Sequence, residues 1–150
     1  MRRAGWATVG LLLVLGLVAC SSDMVTSVGG CGIQPGSSCV GTYMKKGKLA
    51  QANLYGANLT RADLRQAVLA GAILSGATLR HTNLRGADLR HAHLENADLD
   101  GADLRAARLD DAWLMGATFV GAAGVNPADL QRGVVCRTVL AADVILNDDC

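Results

Sequence analysis

Three histidines are the side chains whose type and spacing most directly suggest chemistry in this sequence of 150 residues. His91 and His93 form a His-x-His pair, and two imidazoles can hold zinc or copper at a protein surface. The alternative is an incidental exposed pair. All three histidines lie between positions 81 and 93, and no motif of a hydrolase, metalloprotease or nucleotide-binding site accompanies them. We therefore expect no catalytic activity and no cofactor.

The first twenty residues are typical of a bacterial export signal. Arg2 and Arg3 precede an uncharged run over 4–19, which as a helix would rise about 24 Å, short of the roughly 30 Å hydrocarbon layer. The run ends in Leu17-Val18-Ala19-Cys20, which resembles the lipobox of lipoproteins. The resemblance implies that 1–19 are removed and that Cys20 carries acyl chains that anchor the protein to a membrane. An ordinary secretory signal with an incidental Cys20 is the alternative.

Four further cysteines form an even set, as expected in an oxidising compartment. Of three possible pairings we favour the local ones, Cys31 with Cys39 and Cys136 with Cys150, because each would fasten one end of the central region. Four thiolates could instead hold zinc, but no C-x-x-C spacing is present.

The elements that must position these residues follow from a strict period. A large apolar residue recurs every five positions from Leu49 to Phe119, which gives fifteen units. Ala stands two positions earlier in each unit from Leu54 onward, with Thr82 as the exception. Repeats of this kind determine a fold before any local propensity does.

A five-residue period fits neither regular element. On a helix, successive Leu would step by about 140° and scatter around the axis, and on a strand they would alternate between faces. The position two after each Leu is often Gly, Asn, Asp or His, as at Gly56, His81 and Asn96, and these types tolerate a left-handed backbone. The pattern predicts a solenoid that turns once per unit, with Leu and Ala inside.

Composition agrees with a narrow core. Hydrophobic residues make up 51% of the sequence but aromatic residues only 3%, and Ala (24) and Leu (22) dominate. These values exclude a disordered chain and a base-stacking platform. The formal net charge of +1 excludes a strongly basic nucleic-acid binder.

Units such as Ala52-Asn53-Leu54-Tyr55-Gly56 and Ala102-Asp103-Leu104-Arg105 resemble the pentapeptide-repeat family. The resemblance implies an all-β fold, a right-handed quadrilateral β-helix with four units per coil. Fifteen units would make nearly four coils and a rod of roughly 18 Å.

We divide the chain into a signal peptide (1–19), a tether and N-terminal loop (20–46), the β-helix (47–123) and a C-terminal cap (124–150). The cap is predicted to contain a short helix from Asn126 to Gly133 and two strands, 134–140 and 144–146, stapled by Cys136 and Cys150.

With four units per coil, outward residues twenty apart should stack in columns. Arg65, Arg85 and Arg105 would lie beside Asp63, Asn83 and Asp103, as an anion-binding face or as a solvated face with local ion pairs. Ile73, His93 and Trp113, with Met115 nearby, would form a second column that binds a partner or contacts the cap.

These features predict a non-catalytic, lipid-anchored envelope protein, exposed to the periplasm or the exterior, that acts as a structural or protein-interaction module. Some cytoplasmic relatives instead mimic DNA and inhibit or protect gyrase. The export signal disfavours that alternative here. The seven Arg against eight Asp or Glu between Leu49 and Gly121 do so as well, because a duplex mimic needs a continuous acidic face.

Overall fold

A computed structural model describes residues 27–126, 130, 135–141 and 144–146. Parallel β-bridges join residues twenty positions apart, from Ser38 with Asn58 to Asp103 with Ala123. Four five-residue units therefore complete one coil, as the family resemblance implied, and the coils stack into a four-sided β-helix. Among the described residues, no helix is long and apolar enough to span a membrane.

Each unit ends in a tight turn that forms a corner. The carbonyl of the inward Leu accepts a hydrogen bond from the amide three residues later, as between Leu54 and Ala57 at 3.0 Å. The third residue of the turn has a positive φ, 62° at Gly56 and 55° at His91, as in type II turns. The residues predicted to occupy corners do occupy them. The same backbone also appears at corner residues that are neither Gly nor Asn, among them Lys46, Gln51, Arg61, Gln66 and Ala106.

The core consists of the inward Leu and Ala columns. Leu side chains from Leu49 to Leu99 are fully buried, and Phe119 is the large ring that continues the Leu series. Thr82 replaces Ala in one unit and is equally buried, because its hydroxyl donates a 2.8 Å hydrogen bond to the carbonyl of Leu59. Among the described residues the core is built almost entirely from Leu and Ala, with Phe119 as its aromatic member, which accounts for the low aromatic content.

The coil begins two units earlier than the boundary at residue 47 that the Leu period suggested. Met44 and Cys39 continue the five-residue spacing and are buried in the Leu position, and the first bridge is at Ser38. Part of the predicted tether and loop is therefore solenoid. The boundary was misplaced because these two units lack both the Leu and the preceding Ala.

A small hairpin closes the N-terminal end. Strands β1 (Ser27–Val28) and β2 (Cys31–Gly32) pair antiparallel, and Gly29 and Gly30 make the turn with φ of 60° and 80°. A Cβ at Gly29 would collide with the carbonyl of Tyr43. The predicted Cys31–Cys39 disulfide is present, with a Cα–Cα distance of 5.3 Å, and fastens the hairpin to the first unit.

The C-terminal region returns to the coil and adds a rung. Strands β3 (Thr138–Ala141) and β4 (Val144–Leu146) pair antiparallel, and Val139 of β3 also bridges Thr118 in parallel. This bridge joins residues 21 positions apart, one more than the bridges before it. Before it, the amide of Leu130 bonds to the carbonyl of Asn126 at 3.3 Å, as in the predicted helical turn. Strand β3 starts later than the predicted residue 134.

Candidate functional site

The two outward columns predicted around Arg85 are present on one face of the solenoid. The bridges of Asn83 to Asp63 and to Asp103 align the acidic column, and each Arg follows two positions later in its unit. We call Lys45, Arg65, Arg85 and Arg105 the basic column, because Lys45 occupies the same position one coil before Arg65.

Two of these units contain a paired carboxylate and guanidinium. Nε and Nη2 of Arg65 donate hydrogen bonds of 2.8 and 2.6 Å to the carboxylate of Asp63. Arg105 donates the same two bonds, at the same distances, to Asp103. Each Asp also accepts the backbone N–H of its Arg through Oδ1, at 3.2 Å in both units. The two-residue spacing thus produces a bidentate pair within a single unit.

These contacts stabilise the ionised carboxylates. Hydrogen bonds from Arg105 lower the pKa of Asp103 from 3.8 to about 2, with a contribution from the charge of Arg85. Hydrogen bonds from Arg65 likewise lower the pKa of Asp63. Both carboxylates are therefore satisfied by their own units.

A different pattern occurs on the neighbouring face. Arg90 donates hydrogen bonds of 2.7 and 2.6 Å to Asp88. One coil later Arg108 lies 3.4 Å from Asp110, and there the Arg precedes the Asp in the chain. Because Asp88 bridges Arg108, unlike charges adjoin both along and across the coils. This arrangement is a self-neutralised surface.

The second predicted column is also present. His93 bridges Ile73 on one side and Trp113 on the other, and the His93 and Trp113 rings stack with centroids 5.6 Å apart at 22°. Trp113 remains 42% exposed and Met115 38%. We call Ile73, His93, Trp113 and Met115 the aromatic patch.

Polar contacts hold the centre of this patch. Glu95 lies 3.2 Å from Nδ1 of His93 and accepts a 2.6 Å hydrogen bond from Ser75, one coil away. These bonds outweigh the opposing effect of burial and lower the pKa of Glu95. The sequence prediction missed Glu95 and Ser75, although their spacing of twenty residues already placed them in one column.

The candidate metal pair does not converge on one point. Nδ1 of His91 lies 3.8 Å from Asp111, whereas His93 faces Glu95 and Trp113. In the described ranges, no three His, Cys, Asp or Glu side chains cluster as metal ligands would. Cys136 is disulfide-bonded, while its predicted partner Cys150 and the predicted lipidation site Cys20 lie outside the described residues.

A family model for pentapeptide repeats matches residues 48–86 and 82–121, with eight copies of the motif. The solved structure of alr5209, a pentapeptide repeat protein from Nostoc PCC 7120, is 37% identical over 59% of this chain and 78% of its own, with a TM-score of 0.53. The chain belongs to the pentapeptide-repeat family. Its solved relatives imply that the coil is a right-handed quadrilateral β-helix.

Two further solved members are similar to this pentapeptide-repeat protein. A trypsin-treated variant of QnrB1, a plasmid-mediated fluoroquinolone resistance protein, is 22% identical with a TM-score of 0.51, and the match covers 61% of this chain and 49% of QnrB1. HetL of Nostoc sp. strain PCC 7120, which is involved in the regulation of heterocyst differentiation, is 30% identical over 74% of this chain and 62% of its own, with a TM-score of 0.34. The search of curated proteins found no match.

Proposed function

We propose that this pentapeptide-repeat protein is a non-catalytic interaction module of the bacterial envelope, held to a membrane by lipid on Cys20. The observation that carries the proposal is the aromatic patch. Hydrogen bonds between successive coils pair the backbone groups of the solenoid, and the Leu columns fill its core. Its outward columns are therefore available for a partner.

The chemistry of the patch supports a protein partner. Trp is enriched among the residues that dominate binding energy at interfaces, and Met adapts its shape to varied surfaces. The stack on His93 orders the Trp113 ring before any partner arrives, which lowers the entropic cost of binding. The patch can therefore present a rigid apolar anchor.

The alternative is a DNA-mimicking gyrase inhibitor or protector, as in some cytoplasmic members of the family. A mimic must present unpaired acid along one face. In this chain Asp63, Asp88 and Asp103 are each neutralised by an Arg of the same unit, and the face of the basic column is positive. The charge pattern favours the interaction module.

The proposal is tested by photocrosslinking in cells. A photoreactive amino acid at Met115 is expected to give a discrete crosslinked product that disappears when Trp113→Ala is added. The same group at Ala50, which is exposed on another face, serves as the control. A crosslink yield that is unchanged by Trp113→Ala, or that is as high from Ala50 as from Met115, would contradict a specific interface.

The anchor and the alternative have separate tests. Wild-type protein should carry acyl mass and fractionate with membranes, whereas Cys20→Ala should lose both properties. In a supercoiling assay, the purified protein should leave gyrase unaffected, and potent inhibition or protection would favour the mimic instead.

A further inference from the structure

The ion pairs Asp63–Arg65 and Asp103–Arg105 lie on either side of a unit that lacks one. Asn83 stands where Asp63 and Asp103 stand in the coils on either side. The amide oxygen of Asn83 still accepts the backbone N–H of Arg85, at 3.3 Å, as the two Asp residues do in their units. The local backbone role is thus retained, and only the negative charge is missing.

The guanidinium of Arg85 has no carboxylate partner within its own unit, although its charge acts on Asp103 of the next coil. It makes no ion pair and no side-chain hydrogen bond with any residue of the described part of the chain. Arg65 and Arg105 lie one coil away on either side, at a spacing between coils of about 4.8 Å. The carboxylates of Asp63 and Asp103 are already bound to these two arginines in bidentate pairs. Arg85 is therefore an unpaired guanidinium between two guanidinium groups that are already paired with carboxylates.

Further positive charge surrounds this position. Lys45 extends the basic column, and the exposed Lys46 and Arg61 occupy the corners that flank the face. Against them the same face carries the carboxylates of Asp63 and Asp103. The face has a net positive charge, although the whole chain has a formal charge of only +1.

We infer that Arg85 binds an Asp or Glu side chain of an acidic segment of the protein partner, which occupies the place of the carboxylate missing at Asn83. The guanidinium fork matches a carboxylate in two parallel hydrogen bonds, as the Asp63 and Asp103 pairs demonstrate in the adjacent coils. Their two carboxylates bracket the opening, so that it suits a discrete acidic side chain rather than a continuous anionic lipid surface. This inference rests on the proposed function for the existence of a protein partner, and it supplies the chemistry of that partner.

The test uses the purified protein in detergent solution and a fluorescent hexaglutamate peptide as the probe. Fluorescence anisotropy at low ionic strength is expected to show binding that weakens about tenfold in Asn83→Asp, which supplies the missing carboxylate internally. Arg85→Gln should weaken binding to a similar degree. Asn53→Asp makes the same change of charge at the same position of a unit on another face, and it should leave the affinity within about twofold.

Several outcomes would overturn the inference. These are no binding by the wild type, unchanged affinity in Asn83→Asp, and equal weakening by Asn53→Asp, which would reveal only a net-charge effect. Binding to phosphatidylglycerol vesicles is measured as well. If the protein prefers the vesicles to the peptide and Asn83→Asp removes this preference, Arg85 binds lipid phosphate instead. The crosslinks at Met115 report on the partner independently, so the Arg85 inference can fail while the proposed function stands.

Discussion

The hydroxyl of Thr82 donates a 2.8 Å hydrogen bond to the backbone carbonyl of Leu59 in the preceding coil. Thr138 in strand β3 does the same to Leu114, at 2.6 Å. The two pairs are separated by 23 and 24 residues, and the difference matches the 20- and 21-residue spacings of the bridges at Asn83 and Val139. Thr138 thus occupies the inward position of Thr82, so β3 is a true rung of the helix.

Replacing Thr82 with Val should lower the free energy of unfolding by about 1 kcal/mol. The change keeps the shape of the side chain but removes the hydroxyl donor, and Leu59 keeps its bond from the amide of Ala62 at 3.0 Å. Urea denaturation measures the loss. Thr78→Val, at an outward position, is the control and should change little. Equal effects at both sites would show that the buried bond contributes nothing.

Replacing Ala106 with Gly should raise the free energy of unfolding by about 1 kcal/mol. Ala106 has a φ of 58° at its corner, where its Cβ strains the backbone and Gly would relieve that strain. Ala70→Gly is the matched control, because Ala70 is not among the residues with positive φ. There the added freedom of the unfolded chain should lower stability by about 0.5–1 kcal/mol. Chemical denaturation of both variants should give changes of opposite sign, and two losses would contradict the role of the corner.

Acid should destabilise the protein through the Asp–Arg pairs. Hydrogen bonds from Arg105 hold the pKa of Asp103 at about 2 in the folded protein, below its ordinary 3.8. Because the folded value is the lower one, the contribution to stability is complete above about pH 4 and disappears as the pH falls through about 2. Urea midpoints between pH 5 and pH 2 should therefore fall less in Asp103→Asn than in the wild type.

NMR titration of the Asp103 carboxyl group provides the direct measurement. Asp111→Asn serves as the control for the urea series, since Asp111 has only a 3.8 Å contact to His91, and its acid sensitivity should match that of the wild type. A carboxyl that titrates at its ordinary value would exclude the bidentate pair in solution.

Removing the Cys31–Cys39 disulfide should destabilise the N-terminal end. The bridge joins residues eight positions apart, and closing so short a loop contributes about 2–3 kcal/mol in the chain-entropy account. The double variant Cys31→Ala, Cys39→Ala should unfold at lower urea, and its amide exchange should increase most over the first coil. Reducing agent should bring the wild type close to the variant, whereas an unchanged exchange pattern would show that the hairpin caps the solenoid without the bridge.

Most of the fold could be predicted because a five-residue period leaves few alternatives. The inward Leu and Ala and the corners at Gly56 or His91 follow from counting along the chain. The twenty-residue stacking follows from the four units per coil that the family resemblance implies. The first two units could not be recognised by the same rule, because Met44 and Cys39 fill the Leu position with other side chains. Both contact the N-terminal hairpin, Met44 next to Gly29 and Cys39 through its disulfide, and such tertiary contacts are outside the five-residue rule.

The candidate site was predicted as columns, but its pairing was not. Arg65, Arg85 and Arg105 are equivalent in the sequence pattern, and the structure distinguishes Arg85 through the contacts that its two neighbours make. The stack of His93 on Trp113 and the bonds of Glu95 depend on side-chain rotamers, which spacing alone does not determine. Spacing therefore establishes which residues are neighbours, and rotamers determine which of them bind each other.

The twenty-residue offset of the bridges also governs how the surface can change length. Inserting one five-residue unit would rotate every later residue by a quarter turn and would remove Arg105 from the face of Arg65. Inserting twenty residues would lengthen the rod by one coil and leave each later residue on its original face. Duplication of a whole coil thus preserves a binding surface, while duplication of a single unit changes which residues share a face. The length of a duplicated segment therefore determines whether a recognition face is extended or replaced.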